Sequence, residues 1–309
     1  MKYLPMLCKL GDKQDLAKKD YIFEVKVDGT RAVLHANKEI ILINRRNRNI
    51  THRYPEFGFR KNIKAKSAII DGEVVCYNEE GLPDFNLLQK REQLEKRYLI
   101  EIRAEQIPAT FIAFDILEKD GKKLIKLPLK KRKQILKQTI VPGPRLELMV
   151  FTENGKKIWK EIRKLNLEGV VAKKLDSEYL PDKRTRDWIK IKNMKTIDCV
   201  IVGYTKEIRQ ISALALACYS NKKLRYVGRV GTGFTSGFIK YLLPKLEKLK
   251  TGRQIVEYKG KHKINWVKPM LVAEIKYLQI TKDKILRVPV FLRLREDKPP
   301  KDCILEEQI

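Results

Sequence analysis

The segment Tyr21–Val33, YIFEVKVDGTRAV, alternates with a period of two, and this fixes what the chain can build there. Tyr21, Phe23, Val25 and Val27 fall on one side of an extended strand, and Ile22, Glu24, Lys26 and Asp28 fall on the other. One face is therefore apolar and the other carries Glu24, Lys26 and Asp28 in a row, up to Gly29, where a turn is easy. In isolation such a row reads as a solvated strand face, because surface charge is far commoner than active-site charge. The sharper reading makes Lys26 a nucleophile, its neighbouring carboxylates metal ligands, and Gly29 the point where a substrate approaches the backbone.

Short strand-like runs of this kind dominate the chain. They include Ile40–Asn44, Ala68–Tyr77, Thr110–Leu117, Gly169–Lys174 and Trp188–Lys192. DFNLLQKREQLEKRYLIEIRAEQ and LPLKKRKQILKQTI read as basic helices, and KKIWKEIRKLNLEG as a helix stopped at Gly169. After Lys195 the texture changes to strands at short intervals around one helix-like segment, SGFIKYLLPKLEKL, which fits a small barrel. The boundary falls at Met194 to Ile197, giving domains 1–194 and 195–309. A length of 309 residues and 43% hydrophobic content suit two cores.

No apolar run approaches the roughly 20 residues that span a bilayer. MKYLPMLCKLGDKQD lacks a signal-peptide core, so the expectation is a soluble, cytoplasmic protein with no membrane contact. The five cysteines are scattered, never spaced as a metal-binding pair, and Cys76, Cys199 and Cys218 sit in apolar runs as core residues. Lysine and arginine number 67 against 38 acidic residues, a formal charge of +29. That balance points to a polyanionic partner such as nucleic acid.

Four later stretches also set polar residues on apolar strands. AIIDGEVVCY puts Asp71, Glu73, Val75 and Tyr77 on one face, FIAFDIL sets Phe114 beside Asp115, and EGVVAKK begins with Glu168. DWIKIKN places Trp188, Lys190 and Lys192 opposite Ile189 and Ile191. A surface strand explains any one of them; all five in this order need another explanation.

The set resembles the covalent nucleotidyltransferase superfamily of ATP-dependent DNA ligases, RNA ligases and mRNA capping enzymes. KVDGTR is similar to its Lys-x-Asp-Gly-x-Arg motif; DGEVV, AFDIL, EGVVAKK and WIKIK resemble the motifs that follow, and FLRLREDKPP the last one. AFDIL, GRVGTGF and WVKPMLVAEIKYLQIT point to DNA ligases, most of all to the ligase domain of prokaryotic non-homologous end-joining ligases. Val27 and Thr30 depart from the bulkier residues common at those positions.

The resemblance implies an α+β nucleotidyltransferase (adenylation) domain with antiparallel sheets, followed by an all-β OB-fold barrel domain. It implies that Lys26 takes AMP from ATP, passes it to a DNA 5′-phosphate, and that a 3′-hydroxyl then displaces AMP to seal the nick. A lysine pKa of about 10.4 must fall for this chemistry, and Lys190, Lys192 and a divalent metal would lower it. Asp28 and Glu168 match metal ligands for Mg²⁺, with Mn²⁺ as an alternative. Glu73 matches the ribose-side carboxylate, Phe114 the ring that stacks on adenine, and Glu24 a group near the adenine edge. Arg31 and Arg45 match arginines near the sugar and incoming 5′-phosphate, Arg184 a nucleotide contact, and Lys190 and Lys192 α-phosphate contacts. Arg295, Asp297 and Lys298 would orient the departing pyrophosphate, on a domain that swings about a hinge near the boundary.

The implied partners are nicked double-stranded DNA, Ku, and a separate end-joining polymerase and nuclease, with the chain acting as a monomeric stand-alone repair ligase. The rivals are an RNA ligase or capping-type enzyme of the same superfamily, and a non-catalytic basic nucleic-acid-binding OB protein.

Overall fold

The computed structural model describes residues 3–207 and 210–309, which divide into two compact units, Met1–Asn193 and Met194–Ile309. In the first unit the strands are β1 (Leu7–Leu10), β2 (Tyr21–Val25), β3 (Thr30–Ala36), β4 (Ile40–Asn44), β5 (Ala68–Cys76), β6 (Ala109–Lys119), β7 (Lys122–Lys123), β8 (Leu146–Leu148), β9 (Phe151–Thr152), β10 (Gly169–Lys174) and β11 (Arg184–Lys192). Its α-helices are α1 (Phe85–Glu92), α2 (Arg97–Gln106), α3 (Leu129–Thr139) and α4 (Gly155–Lys164).

One sheet runs β1-β11-β10-β2-β9, the other β4-β3-β5-β6-β7, with β8 beside β6. The pairings are antiparallel except β1 on β11 and β8 on β6. In the first sheet Val170 lies opposite both Val25 and Ile191, and Ala172 opposite both Phe23 and Ile189. These apolar rows pack on Trp159 and Ile162 of α4, which recur at helical spacing. A fully buried side chain of this size contributes roughly 1.5–3 kcal/mol. Asn154 caps α4 by accepting the Lys157 N–H at 2.9 Å. The helix ends at Lys164, where Asn166 takes a left-handed φ of 52°; Gly169, expected as the stop, instead opens β10.

The second sheet builds its own core on one face, from Leu34, Ile70, Val74, Phe111 and Ile116 with Leu136 of α3. On the other face Val33, Ile69, Phe114 and Leu117 meet Trp188 of the first sheet. The pairing of β5 with β6 slips twice, and Phe114 and Leu117 are the extra residues. Such bulges re-aim side chains, and here they turn both inward between the sheets.

Helix α3 is the basic helix expected there, yet two of its charges lie inside. Arg132 is fully buried and grips Asp115 with Nε and Nη2, each at 2.9 Å, while Lys133 pairs with Glu24. These ion pairs tie α3 to both sheets.

The second unit holds β12 (Lys195–Thr205), β13 (Ala213–Ser220), β14 (Lys223–Val230), α5 (Ser236–Lys248), β15 (Asn265–Tyr277), β16 (Gln279–Ile280), β17 (Leu286–Arg287) and β18 (Val290–Leu294). Its five-stranded antiparallel sheet runs β14-β13-β12-β15-β18, and the Phe291 N–H donates to the Thr232 carbonyl at 3.0 Å, joining the start of β18 to the end of β14. The partly open barrel that results encloses Cys199, Ile201, Leu214, Leu216 and Ile275, with Leu242 and Leu246 of α5. Central β12 is covered on both faces, so its sequence reads as a continuous apolar run. All five cysteines are free.

Replacing Asp115 by alanine would leave the Arg132 guanidinium buried without its counter-charge. The expected loss of stability is about 3–5 kcal/mol, read from the first unit's transition in urea. A loss below about 1 kcal/mol would contradict this account of α3.

Candidate active site

The strand register that gives the first sheet its apolar face also makes its other face. Glu24, Val171 and Lys190 form one lateral row, and Ile22, Lys173 and Trp188 a second. Lys26 continues the sequence: its N–H donates to the Gly169 carbonyl at 2.9 Å, and Gly169 lies opposite Lys192. Only glycine fits between the two lysines, because φ there is +149° and a Cβ would lie 2.1 Å from the Ile191 carbonyl oxygen.

This face is not the wet surface that a charged row suggests in isolation. It walls a cavity whose other side is made by Arg31, Glu73 and Phe114 of the second sheet. Glu24 is only 2% exposed and pairs with Lys173 at 2.6 Å as well as with Lys133. The Lys173 ammonium sits 4.1 Å from the ring centres of both Phe114 and Trp188. Burial pulls its pKa down, against the Glu24 carboxylate. Arg31 lies over the Phe114 ring at 4.6 Å, and Asp71 holds it with two bonds of 2.6 Å. Asp71 in turn accepts the Tyr179 hydroxyl at 2.6 Å, and that hydroxyl accepts the Met6 N–H at 2.9 Å.

At the mouth of this cavity Lys26 Nζ donates to Glu168 Oε2 at 2.6 Å. Burial lowers the lysine's pKa, but Glu168, with Glu73 and Asp28 behind it, outweighs burial and leaves it raised. The carboxylates near Nζ thus set the direction of the shift on Lys26. Lys190 itself is drawn down, by burial first and then by Lys192, Arg184 and Lys26. Glu73 is pushed up to about 7 by burial, with Arg31 and Lys26 opposing. Gly29, expected to admit a substrate, is instead approached by β5: a Cβ there would lie 2.3 Å from the Val74 carbonyl oxygen.

Of the expected residues of this unit, Glu24, Lys26, Arg31, Glu73 and Phe114 line the cavity, Asp28, Glu168, Lys190 and Lys192 do not, and two more stand on exposed turns and strand ends. Arg45 is exposed at the turn after β4, and Arg184 bonds the Cys8 carbonyl at the exposed start of β11. Neither lines the cavity. In the second unit Arg295, Asp297 and Lys298 cluster as the sequence spacing implies. Asp297 takes Arg295 Nε and Nη2 at 2.9 and 2.8 Å, and is held down to about 2 chiefly by that bond. Sequence reading missed Lys173, Lys133, Tyr179 and Cys8. Lys173 alone left a signal, a lone charge on the cavity-side parity of an apolar strand.

Among the described residues no three histidine, cysteine or acidic groups gather to cage a metal. Mg²⁺ requires only one or two carboxylates where phosphates complete its shell, so the hard oxygens of Asp28 and Glu168 suit it.

A family model described as "ATP dependent DNA ligase domain" matches residues 5–192, and one described as "ATP dependent DNA ligase C terminal region" matches residues 207–298. The chain belongs to the ATP-dependent DNA ligase family. Its two units are accordingly a nucleotidyltransferase domain and an OB-fold-like ligase domain. The multifunctional non-homologous end joining protein LigD of Mycolicibacterium smegmatis is 32% identical over 98% of this chain and 40% of that protein. DNA ligase 2 of Methanosarcina acetivorans is 34% identical over 91% of this chain and 52% of that protein. This ligase-family chain thus spans about half the length of the curated relatives it matches or less. Among solved structures, a mycobacterial DNA ligase D complexed with ATP and MES shares 27% identity and a TM-score of 0.57 over 98% of each chain. A Lig E DNA ligase, 18% identical, shares the fold with a TM-score of 0.64 over 94% of this chain and 99% of that one.

The Glu73 carboxyl should titrate near pH 7 in a carbon-detected NMR experiment, and the midpoint should rise further in Lys26→Ala, since the lysine's charge favours the carboxylate. A raised folded pKa means that the folded state binds the extra proton. Glu73's contribution to stability is therefore fully present below its unfolded value of 4.5 and falls as pH rises to about 7. The loss amounts to about 3 kcal/mol. A midpoint near 4.5, or one unmoved by Lys26→Ala, would refute this electrostatic picture.

Proposed function

We propose that this chain is an ATP-dependent DNA ligase that seals 5′-phosphate/3′-hydroxyl nicks through a lysyl-AMP intermediate. The observation that carries the reading is Lys26, whose Nζ lies 2.6 Å from Glu168, lining one cavity with Phe114 and Trp188. In the first step the deprotonated Lys26 nitrogen attacks the α-phosphorus of ATP; an N–P bond forms, the bond to the β-phosphate bridging oxygen breaks, and pyrophosphate departs. A 5′-phosphate oxygen of the nick then attacks that phosphorus and frees the lysine. The 3′-hydroxyl finally attacks the activated 5′-phosphate and AMP leaves.

The residues of the cavity suit these steps. Phe114 gives adenine a face to stack on, Glu73 and Arg31 lie beside the sugar, and Glu24 with Lys173 lies at the base's edge. Lys190 and Lys192 meet the negative charge that grows on the α-phosphate. Asp28 and Glu168 would hold Mg²⁺, or Mn²⁺, which when bound neutralises phosphate charge. Arg295, Asp297 and Lys298 orient the pyrophosphate so that it leaves in line with the attack. Arg45, exposed outside the cavity, serves the incoming 5′-phosphate, and Arg184, also exposed, is a nucleotide contact.

The formal charge of +29 supports a duplex held mainly by its phosphates, without base readout that would restrict which nicks are sealed. The role proposed is break repair by end joining, with Ku and an end-joining polymerase and nuclease, in the cytoplasm. It is supported by the LigD ligase domain, whose likeness runs over 98% of this chain.

Incubation with α-labelled ATP should place acid-stable label on the protein, and nicked DNA added afterwards should carry it away as 5′-adenylate and then release it as AMP on sealing. Lys26→Ala and Lys26→Arg should both fail at the first step, since a guanidinium stays protonated. Label in Lys26→Ala, label from GTP in place of ATP, or transfer only to nicked RNA would each overturn the proposal.

A further inference from the structure

The Arg295–Lys298 cluster depends on a residue 97 positions away in sequence from Arg295. Asp198 Oδ2, on β12, accepts Arg295 Nη1 at 2.8 Å and Lys298 Nζ at 3.0 Å. Two cations that share one oxygen would otherwise repel each other; a common anion lets them stand together. Asp198 is itself anchored. Its N–H donates to Gln308 Oε1 at 2.8 Å, its carbonyl accepts Gln308 Nε2 at 3.2 Å, and it lies opposite Glu274 in the β12–β15 ladder. Its Oδ1 is buried with no hydrogen-bond partner among the described residues, so the charge rests on the two cations alone.

The two carboxylates of the cluster differ in kind. The Asp198 side chain is 12% exposed and built into the barrel wall, whereas Asp297 is 62% exposed on the turn that carries both cations. Arg295 and Lys298 keep 21% of their side-chain surface, and Lys298 has N–H donors beyond the one given to Asp198. A polyphosphate has several anionic oxygens, and two cations fixed at one spacing suit it better than two mobile ones.

We propose that Asp198 is a positioning residue, the fixed anchor that holds Arg295 and Lys298 side by side for the leaving pyrophosphate. The inference rests on the nucleotidyl-transfer reading above and adds to it a residue outside the ligase motifs. Asp198 acts through the two cations and takes no part in the steps that lack pyrophosphate.

The test uses the full chain carrying Asp198→Asn, Asp198→Ala or Asp198→Glu, or Asp198→Ala combined with Lys298→Ala. Three quantities are read: lysyl-AMP formation against ATP concentration, sealing of a nick already bearing 5′-adenylate, and the thermal midpoint. Asp198→Asn should slow adenylation roughly ten- to a hundredfold, mostly in kcat rather than KM. Sealing of the pre-adenylated nick should change less than about twofold, because a positioning loss stays with its own step. Asp198→Glu should recover part of the rate, and Lys298→Ala should add little to Asp198→Ala. Should Asp198→Asn melt far below the parent, Asp198→Glu carries the same comparison between the two steps. Unchanged adenylation in Asp198→Asn, or equal losses in both steps, would overturn the proposal. A parent protein that forms no lysyl-AMP would overturn the ligase reading itself, and this control separates the two failures.

Discussion

Val170 lies opposite Val25 on one side and Ile191 on the other, and this three-strand register underlies the site. Because strand side chains alternate, packing one set of rows on α4 forces the other set to face the second sheet. Glu24, Lys26, Lys173, Trp188, Lys190 and Lys192 all belong to that second set. A slip of one residue in β10 would bury charge against Trp159 and Ile162 and expose the apolar rows. The hydrophobic packing behind the sheet is therefore what holds the nucleophile candidate and its neighbours in place.

Burying so many charges is costly, and each is offset locally. Glu24 lies between Lys133 and Lys173, Asp71 between Arg31 and Tyr179, and Asp115 is gripped by Arg132. Pairs of this kind add little net stability over an apolar core, but removing one partner is expensive. They fix the geometry of the cavity before any ligand enters. Lys26 with Glu168 differs, since it lies at the edge and is part exposed. There the neighbouring carboxylates, Glu168 first, outweigh burial and raise the lysine's pKa.

Much of this could be read from residues alone. The parity of Tyr21–Asp28 and of Trp188–Lys192, the strands Ile40–Asn44 and Gly169–Lys174, and the change of texture after Lys195 all follow from periodicity. Periodicity could not foresee two bulges in β6, which set Phe114 and Leu117 on the same side as Trp188. Nor could it tell a wet face from a cavity wall, because that depends on a second sheet distant in sequence. The inward turn of Arg132 and Lys133 on a helix full of lysines was hidden for the same reason. So was Asp198, an acid within an apolar run whose partners lie about a hundred residues on. Local pattern sets which side a residue faces, and long-range packing decides what it meets.

The central claim is that Lys26, and no other lysine of this face, receives AMP. Peptide mapping by mass spectrometry after incubation with ATP and Mg²⁺ tests it most directly. The account requires an AMP adduct on the peptide that holds Lys26 and on no other. An adduct on Lys173, Lys190 or Lys192, or none on an active preparation, would contradict it.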